Sequence, residues 1–243
     1  MVEAVKRRLL PAGPALALAL AACALLLVVC APQQAFARSY DMPKVDIAAE
    51  AQTDGSLHVV ESRTFEFSGD YTAVWWTFND LPDGAKVQVN GVKLALPQHA
   101  GSGGGSNADG GAGSDDSTVD LQSVPFQSSW RDEGGPGTAS YSFDEAKNTL
   151  YVFFSASDET MVATIDYTII DGVQAFQDVA EVYWQYVGAQ WAEASSDVSM
   201  TLTLPVPAGE KVVPGENVRA WGHGPLDGVV TVNADGTVTY KVP

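Results

Sequence analysis

Alternation constrains this chain more than any other feature. From Lys44 onward apolar and polar side chains follow a period of two, broken by turn pairs. Successive side chains of a strand point to opposite faces, so this pattern builds half-buried strands and not helices. Residues 56–67 show it best. Leu57, Val59, Glu61, Arg63, Phe65 and Phe67 fall on one side, and His58, Val60, Ser62, Thr64 and Glu66 on the other. Asp54-Gly55 stands just before this run, so 45–52 and 57–67 read as a hairpin. Residues 71–78 are aromatic and β-branched, which favours a further strand. Residues 86–89 and 92–96 flank Asn90-Gly91, whose tolerance of positive φ predicts a second hairpin.

Strands are expected again at 119–124, 138–143, 150–155, 161–170, 198–204, 228–232 and 237–242. Only 178–187 lets a short helix compete with a strand. Short strands separated by turns predict an all-β fold, a sandwich or a barrel, here read as an antiparallel β-sandwich of immunoglobulin-like or jelly-roll-like type. Residues 97–118 interrupt the pattern. They are rich in Gly, Ser, Ala and Asp and bury too little to offset their ordering entropy, so a flexible, disordered insert is expected.

The N-terminus has a different logic. Lys6, Arg7 and Arg8 precede a charge-free apolar run from Ala15 to Ala31, and Ala35-Phe36-Ala37 supplies small residues for cleavage. Basic, apolar and small in that order is the signature of a secretory signal peptide over 1–37. An uncleaved anchor is the competing reading. Lipidation at Cys30 is disfavoured because Val29, just before it, is not small. Residues 38–243 are then the exported β-sandwich domain, and the location is extracytoplasmic: secreted, or at the cell surface.

Composition narrows the chemistry. Both cysteines, Cys23 and Cys30, lie in the leader, so the exported part has no disulfide, thiolate metal site or thiol nucleophile. The whole chain carries a net charge of −17. Without Glu3, Lys6, Arg7 and Arg8 of the leader, 29 acidic and 10 basic residues remain, a net of −19. Such a surface repels nucleic acid and anionic lipid.

Few residues suggest a site. Tyr183, Trp184, Tyr186, Trp191 and Trp221 form the most distinctive set. Aromatic faces like these either fill a core or serve as an interface or ligand platform. His223 sits between Gly222 and Gly224, which leaves its ring open, but a metal site needs several fixed ligands and the other histidines are His58 and His99. Asp178 and Glu181 invite a glycosidase reading, yet residues three apart on a strand face opposite ways. Glu61 and Arg63 share a strand face and read as an ion pair, worth little if exposed. Asn107-Ala108-Asp109-Gly110 and Asn233-Ala234-Asp235-Gly236 lack the carboxylates of a calcium loop and read as turns. No catalytic residue, cofactor or metal is expected.

The run from Asp178 to Trp191, DVAEVYWQYVGAQW, together with Ala220-Trp221-Gly222-His223-Gly224-Pro225-Leu226, resembles the domain of unknown function 2207 family of predicted bacterial membrane proteins. The stretches 40–42, 54–61 and 65–71 resemble the start of the same family. The resemblance implies an exported β-rich ectodomain, normally followed by transmembrane helices and often a Gly-rich tail. It implies no enzyme activity. The sequence reaches Pro243 without a second apolar span, so a C-terminally truncated fragment is the expectation. The reading that follows is a membrane-tethered envelope or surface interaction module, with an envelope protein or a glycan as partner. The alternative is a carbohydrate-binding domain, or a carbohydrate-active enzyme using Asp178 or Glu181 with His223.

Overall fold

The computed structural model describes residues 38–79, 81–95, 118–130 and 134–243. The signal peptide over 1–37 and the insert over 97–117 lie outside the described residues, as do His99 and the turn at 107–110. Strands β1 (Ser39–Ala51) and β2 (Leu57–Ser68) pair antiparallel as the alternation requires. Their turn is set by Gly55 at φ 89° and by Asp54, whose Oδ1 accepts the Ser56 N–H at 3.0 Å. Then come β3 (Asp70–Thr77), β4 (Lys86–Ala95), β5 (Thr118–Asp120), β6 (Gln122–Ser123), β7 (Ser140–Asp144), β8 (Thr149–Ser157) and β9 (Thr160–Ile170). A two-residue pair, β10 (Gln174–Ala175) and β11 (Ala180–Glu181), precedes β12 (Val198–Thr203), β13 (Val229–Val232) and β14 (Thr237–Val242).

Eight strands form one sheet in the order β13-β14-β12-β1-β2-β9-β4-β5. Four form a second, β3-β8-β7-β6. Inter-sheet contacts such as Phe67 with Phe154 and Phe78 with Tyr167 bring the two face to face in one core. The protein is therefore a β-sandwich, mostly antiparallel, with two parallel pairings, β1 with β12 and β6 with β7.

Three local readings change. The expected hairpin at Asn90-Gly91 does not form. The chain runs straight through it as β4 with a bulge against β9, and neither residue adopts positive φ. A long neighbouring strand offers nine paired positions to β4, and that ladder outweighs the local turn preference. The Asn90 amide is used instead to donate to Asp166 Oδ1 and Thr168 Oγ1, at 2.8 and 3.1 Å. The expected strand at 119–124 is split: β5 pairs in the large sheet, β6 in the small one, and buried Leu121 marks the crossing point. Thr118, placed at the end of the insert, belongs to β5 and pairs with Ala95. No helix forms at 178–187. Beyond β11, burial alternates, with Val182, Trp184 and Tyr186 half-buried and Tyr183 and Gln185 exposed.

Candidate functional site

The large sheet is twice as wide as the small one, so half of its inner face needs another cover. The connection from β9 to β12 supplies it. These strands run parallel, because each is related to β1 by the observed pairings, and parallel strands require a crossover. Asp171 at φ 57° and Asp197 at φ 40° bound the crossover, using the tolerance of aspartate for the left-handed region. Between them the aromatic run lays itself on the sheet. Trp184 meets Tyr167 edge-on at 6.2 Å and Tyr186 at 4.9 Å. Tyr186 continues to Tyr240 of β14 at 5.1 Å. Trp191 packs edge-on against Trp76 at 5.2 Å and tilts over Phe65 at 5.8 Å.

Beneath this cover lies a polar cluster that the alternation placed on the apolar side of β2. Glu61 and Arg63 are 2% and 1% exposed. The expected ion pair forms, but inside the core. Arg63 Nε donates to Glu61 Oε1, Trp76 Nε1 donates to the same oxygen at 2.9 Å, and the Tyr167 hydroxyl donates to Oε2 at 3.1 Å. The Arg63 guanidinium lies 4.7 Å from the Trp191 ring centre, a cation–π contact, and its Nη1 reaches Ser195 Oγ at 3.5 Å. Burial, then the Glu61 charge and hydrogen bond, push the Tyr167 phenol well above its ordinary range. Burial likewise raises Tyr186, helped by Tyr240. The cavity between these groups measures about 30 Å³, room for roughly a couple of waters and far too little for an enclosed sugar.

The remaining named residues lie elsewhere. Tyr183 is exposed, and so are Trp221, at 71%, and His223. Asp178 and Glu181 are exposed, and neither they nor His223 line the cavity. His58 donates to Asp166 at 2.9 Å. Among the described residues no group of three or more His, Cys, Asp or Glu side chains could hold a metal. Asn233–Gly236 is a turn, with Gly236 at φ 92° and Asp235 Oδ1 accepting the Thr237 N–H at 3.0 Å.

The family model for the N-terminal domain of a predicted membrane protein, DUF2207, matches residues 41–243. The chain belongs to this family. No curated protein matches it. Among solved structures, the DUF2207 domain is similar to an M1 zinc metallopeptidase from Deinococcus radiodurans, at 8% identity and a TM-score of 0.37, over 84% of this chain and 38% of that one. It is similar at 8% identity and a TM-score of 0.36 to a variant two-domain M1 zinc metallopeptidase bound to L-tryptophan, over 84% of this chain and 39% of that one. The domain thus spans less than two-fifths of these enzymes, and overlap this loose carries no argument about activity. Among its described residues no helix is long and apolar enough to cross a membrane.

Sequence reasoning missed two things in the DUF2207 domain. One is Trp75, 56% exposed on β3. Its only signal was its place in 71–78 beside Trp76, which points the opposite way. The other is the buried position of Glu61 and Arg63, legible from their parity with Leu57, Val59, Phe65 and Phe67.

Proposed function

We propose that this domain is the extracytoplasmic part of a membrane protein and docks an envelope protein through the loop from β12 to β13, with no chemistry of its own. One observation carries the reading: an ordered loop holds Trp221 and Leu226 out into solvent, Trp221 at 71% and Leu226 fully exposed, next to Val229 at 60% on the edge strand β13. The loop is built, not frayed. Asn217 Oδ1 accepts the Val213 N–H and its amide donates to Lys211 O, both at 2.8 Å, and Arg219 Nε donates to Gly215 O at 3.0 Å. Gly222 lies so close to Val230 that an added Cβ would sit 2.9 Å from its Cγ2. Val229 also borders an open groove of about 260 Å³ with Val198, Asp227 and Lys241. A rigid Trp and Leu beside an unpaired strand edge is the arrangement that protein interfaces use as an anchor.

Export is motivated by the basic, apolar and small order of residues 1–37, and membrane association by the family. The test places a photo-crosslinking residue at position 221 of the full-length protein in its native cell. A discrete crosslinked envelope protein, lost in Leu226→Asp and unaffected by Tyr183→Ala, supports the reading. A cytosolic protein retaining its first 37 residues, or no crosslink from position 221, counts against it.

A further inference from the structure

A second surface stands apart from the Trp221 loop. Strand β3 is the outermost strand of the small sheet, and the crossover runs beside it. The Phe78 N–H donates to Asn148 O at 2.8 Å, which fixes the ladder phase. In an antiparallel pair the intervening residues aim their backbone groups away from the partner, so Trp75 and Thr77 present N–H and C=O away from β8. Gly188 of the crossover faces this edge, its Cα placed so that a Cβ would lie 3.8 Å from Thr77 O. Beside this contact a cleft leads to the small cavity over Glu61 and Arg63. Its rim carries the exposed side chains of Trp75, Asn79, Gln185 and Gln190. Asn79 and Gln190 have no hydrogen-bond partner among the described residues, while Gln185 Nε2 donates to Val187 O at 3.0 Å.

We propose that this cleft binds an uncharged saccharide, with one pyranose stacked on the Trp75 indole and the amides of Asn79, Gln185 and Gln190 bonding its hydroxyls. Charge selects the ligand class. Among the described residues, the only Asp, Glu, Lys or Arg lining the cleft are Glu61 and Arg63, and these neutralise each other at its floor. Tyr167 and Tyr186 are held protonated by burial. A neutral cleft on a chain of net charge −17 selects neither cations, which the rest of the surface attracts, nor anions, which it repels. Side-chain amides and an aromatic face, without charge, suit a polyhydroxyl ring with an apolar C–H side. At Thr77 an added peptide strand is blocked, because the crossover at Gly188 occupies the space outside it. The sugar sits at the mouth, since the cavity behind holds only water-sized groups.

The test probes the full chain on an array of neutral oligosaccharides (β-glucan, α-glucan, mannan and chitin hexamers) with extended peptides alongside. Titration by tryptophan fluorescence and calorimetry follows on the wild type, Trp75→Ala, Gln190→Ala and Trp221→Ala. Circular dichroism melts confirm folding; Trp75 is exposed, so its removal leaves the core in place. Binding of at least one sugar, weakened about tenfold or more by Trp75→Ala and unchanged by Trp221→Ala, supports the proposal. No sugar bound at millimolar concentration, equal binding by Trp75→Ala, or retention of peptides alone overturns it. Because Trp221 is the control here, failure at the cleft leaves the docking loop untouched, and the reverse also holds.

Discussion

Trp191 and Trp221 look alike in the sequence, each an aromatic in a Gly- and Ala-rich segment, yet one is drawn into the core and the other is not. Trp191 belongs to a crossover that passes above half a sheet with no strand over it, and it meets a buried cation there. Trp221 lies at the sheet's far edge, on a loop beside β13 and β14, and stands 71% exposed. What decides the fate of an aromatic motif is the area of uncovered sheet within reach, and beside it a group that needs its ring. Burial of Arg63 supplies both halves of that lesson. A guanidinium inside a core is tolerated when a carboxylate, a ring face and a hydroxyl share it.

The contrast can be broken in steps of decreasing size. Removing one partner of the buried pair has the largest effect. Arg63→Ala leaves the Glu61 carboxylate in the core with only Trp76 and Tyr167, and the expected loss is about 3–5 kcal/mol in urea unfolding. Replacing both, as Glu61→Gln with Arg63→Met, costs less than either removal alone, because no charge is stranded. Next is Trp191→Ala, expected to cost about 2–4 kcal/mol by opening the cover over Phe65 and Trp76. The smallest is Trp221→Ala, expected within about 0.5 kcal/mol of wild type by the same measurement.

Alkali sharpens the same comparison. Tyr167 and Tyr186 titrate well above the value near 10 that they take in the unfolded chain. Above pH ~10 the unfolded state therefore holds fewer protons than the folded state, and stability falls as pH rises. The slope is about 1.4 kcal/mol per pH unit for each such tyrosine, up to its folded value, and below pH ~10 the contribution is constant. Urea melts should be flat in this contribution from about pH 9 to 10 and show the slope above pH ~10, and Tyr167→Phe should remove one tyrosine's share of it.

Most strands were legible because their pattern is local. The rows of β2 and β12 follow strict alternation, and Asp54-Gly55 and Asp235-Gly236 each put a positive-φ glycine after an aspartate that caps the residue two ahead. Asn90-Gly91 has the same local promise without that cap, and β9 overrides it. Non-local facts were not legible: the parallel pairing of β1 with β12, the change of sheet at Leu121, and the side of β3 on which Trp75 stands. The candidate sites divide the same way. Trp184 and Trp191 stand out in the sequence as a motif, but only the width difference between the sheets says that they are cover.

The claim beneath all of this is that the crossover is fastened to the sheet through Arg63 and Trp191. A double-mutant cycle of Arg63→Met and Trp191→Ala, read by urea unfolding, tests it directly. The account predicts a coupling of about 1 kcal/mol or more, since the ring and the guanidinium each lose their partner when either is changed. Losses that add to within about 0.3 kcal/mol would mean that Trp191 merely lies over Arg63, and the crossover would then be held by something else.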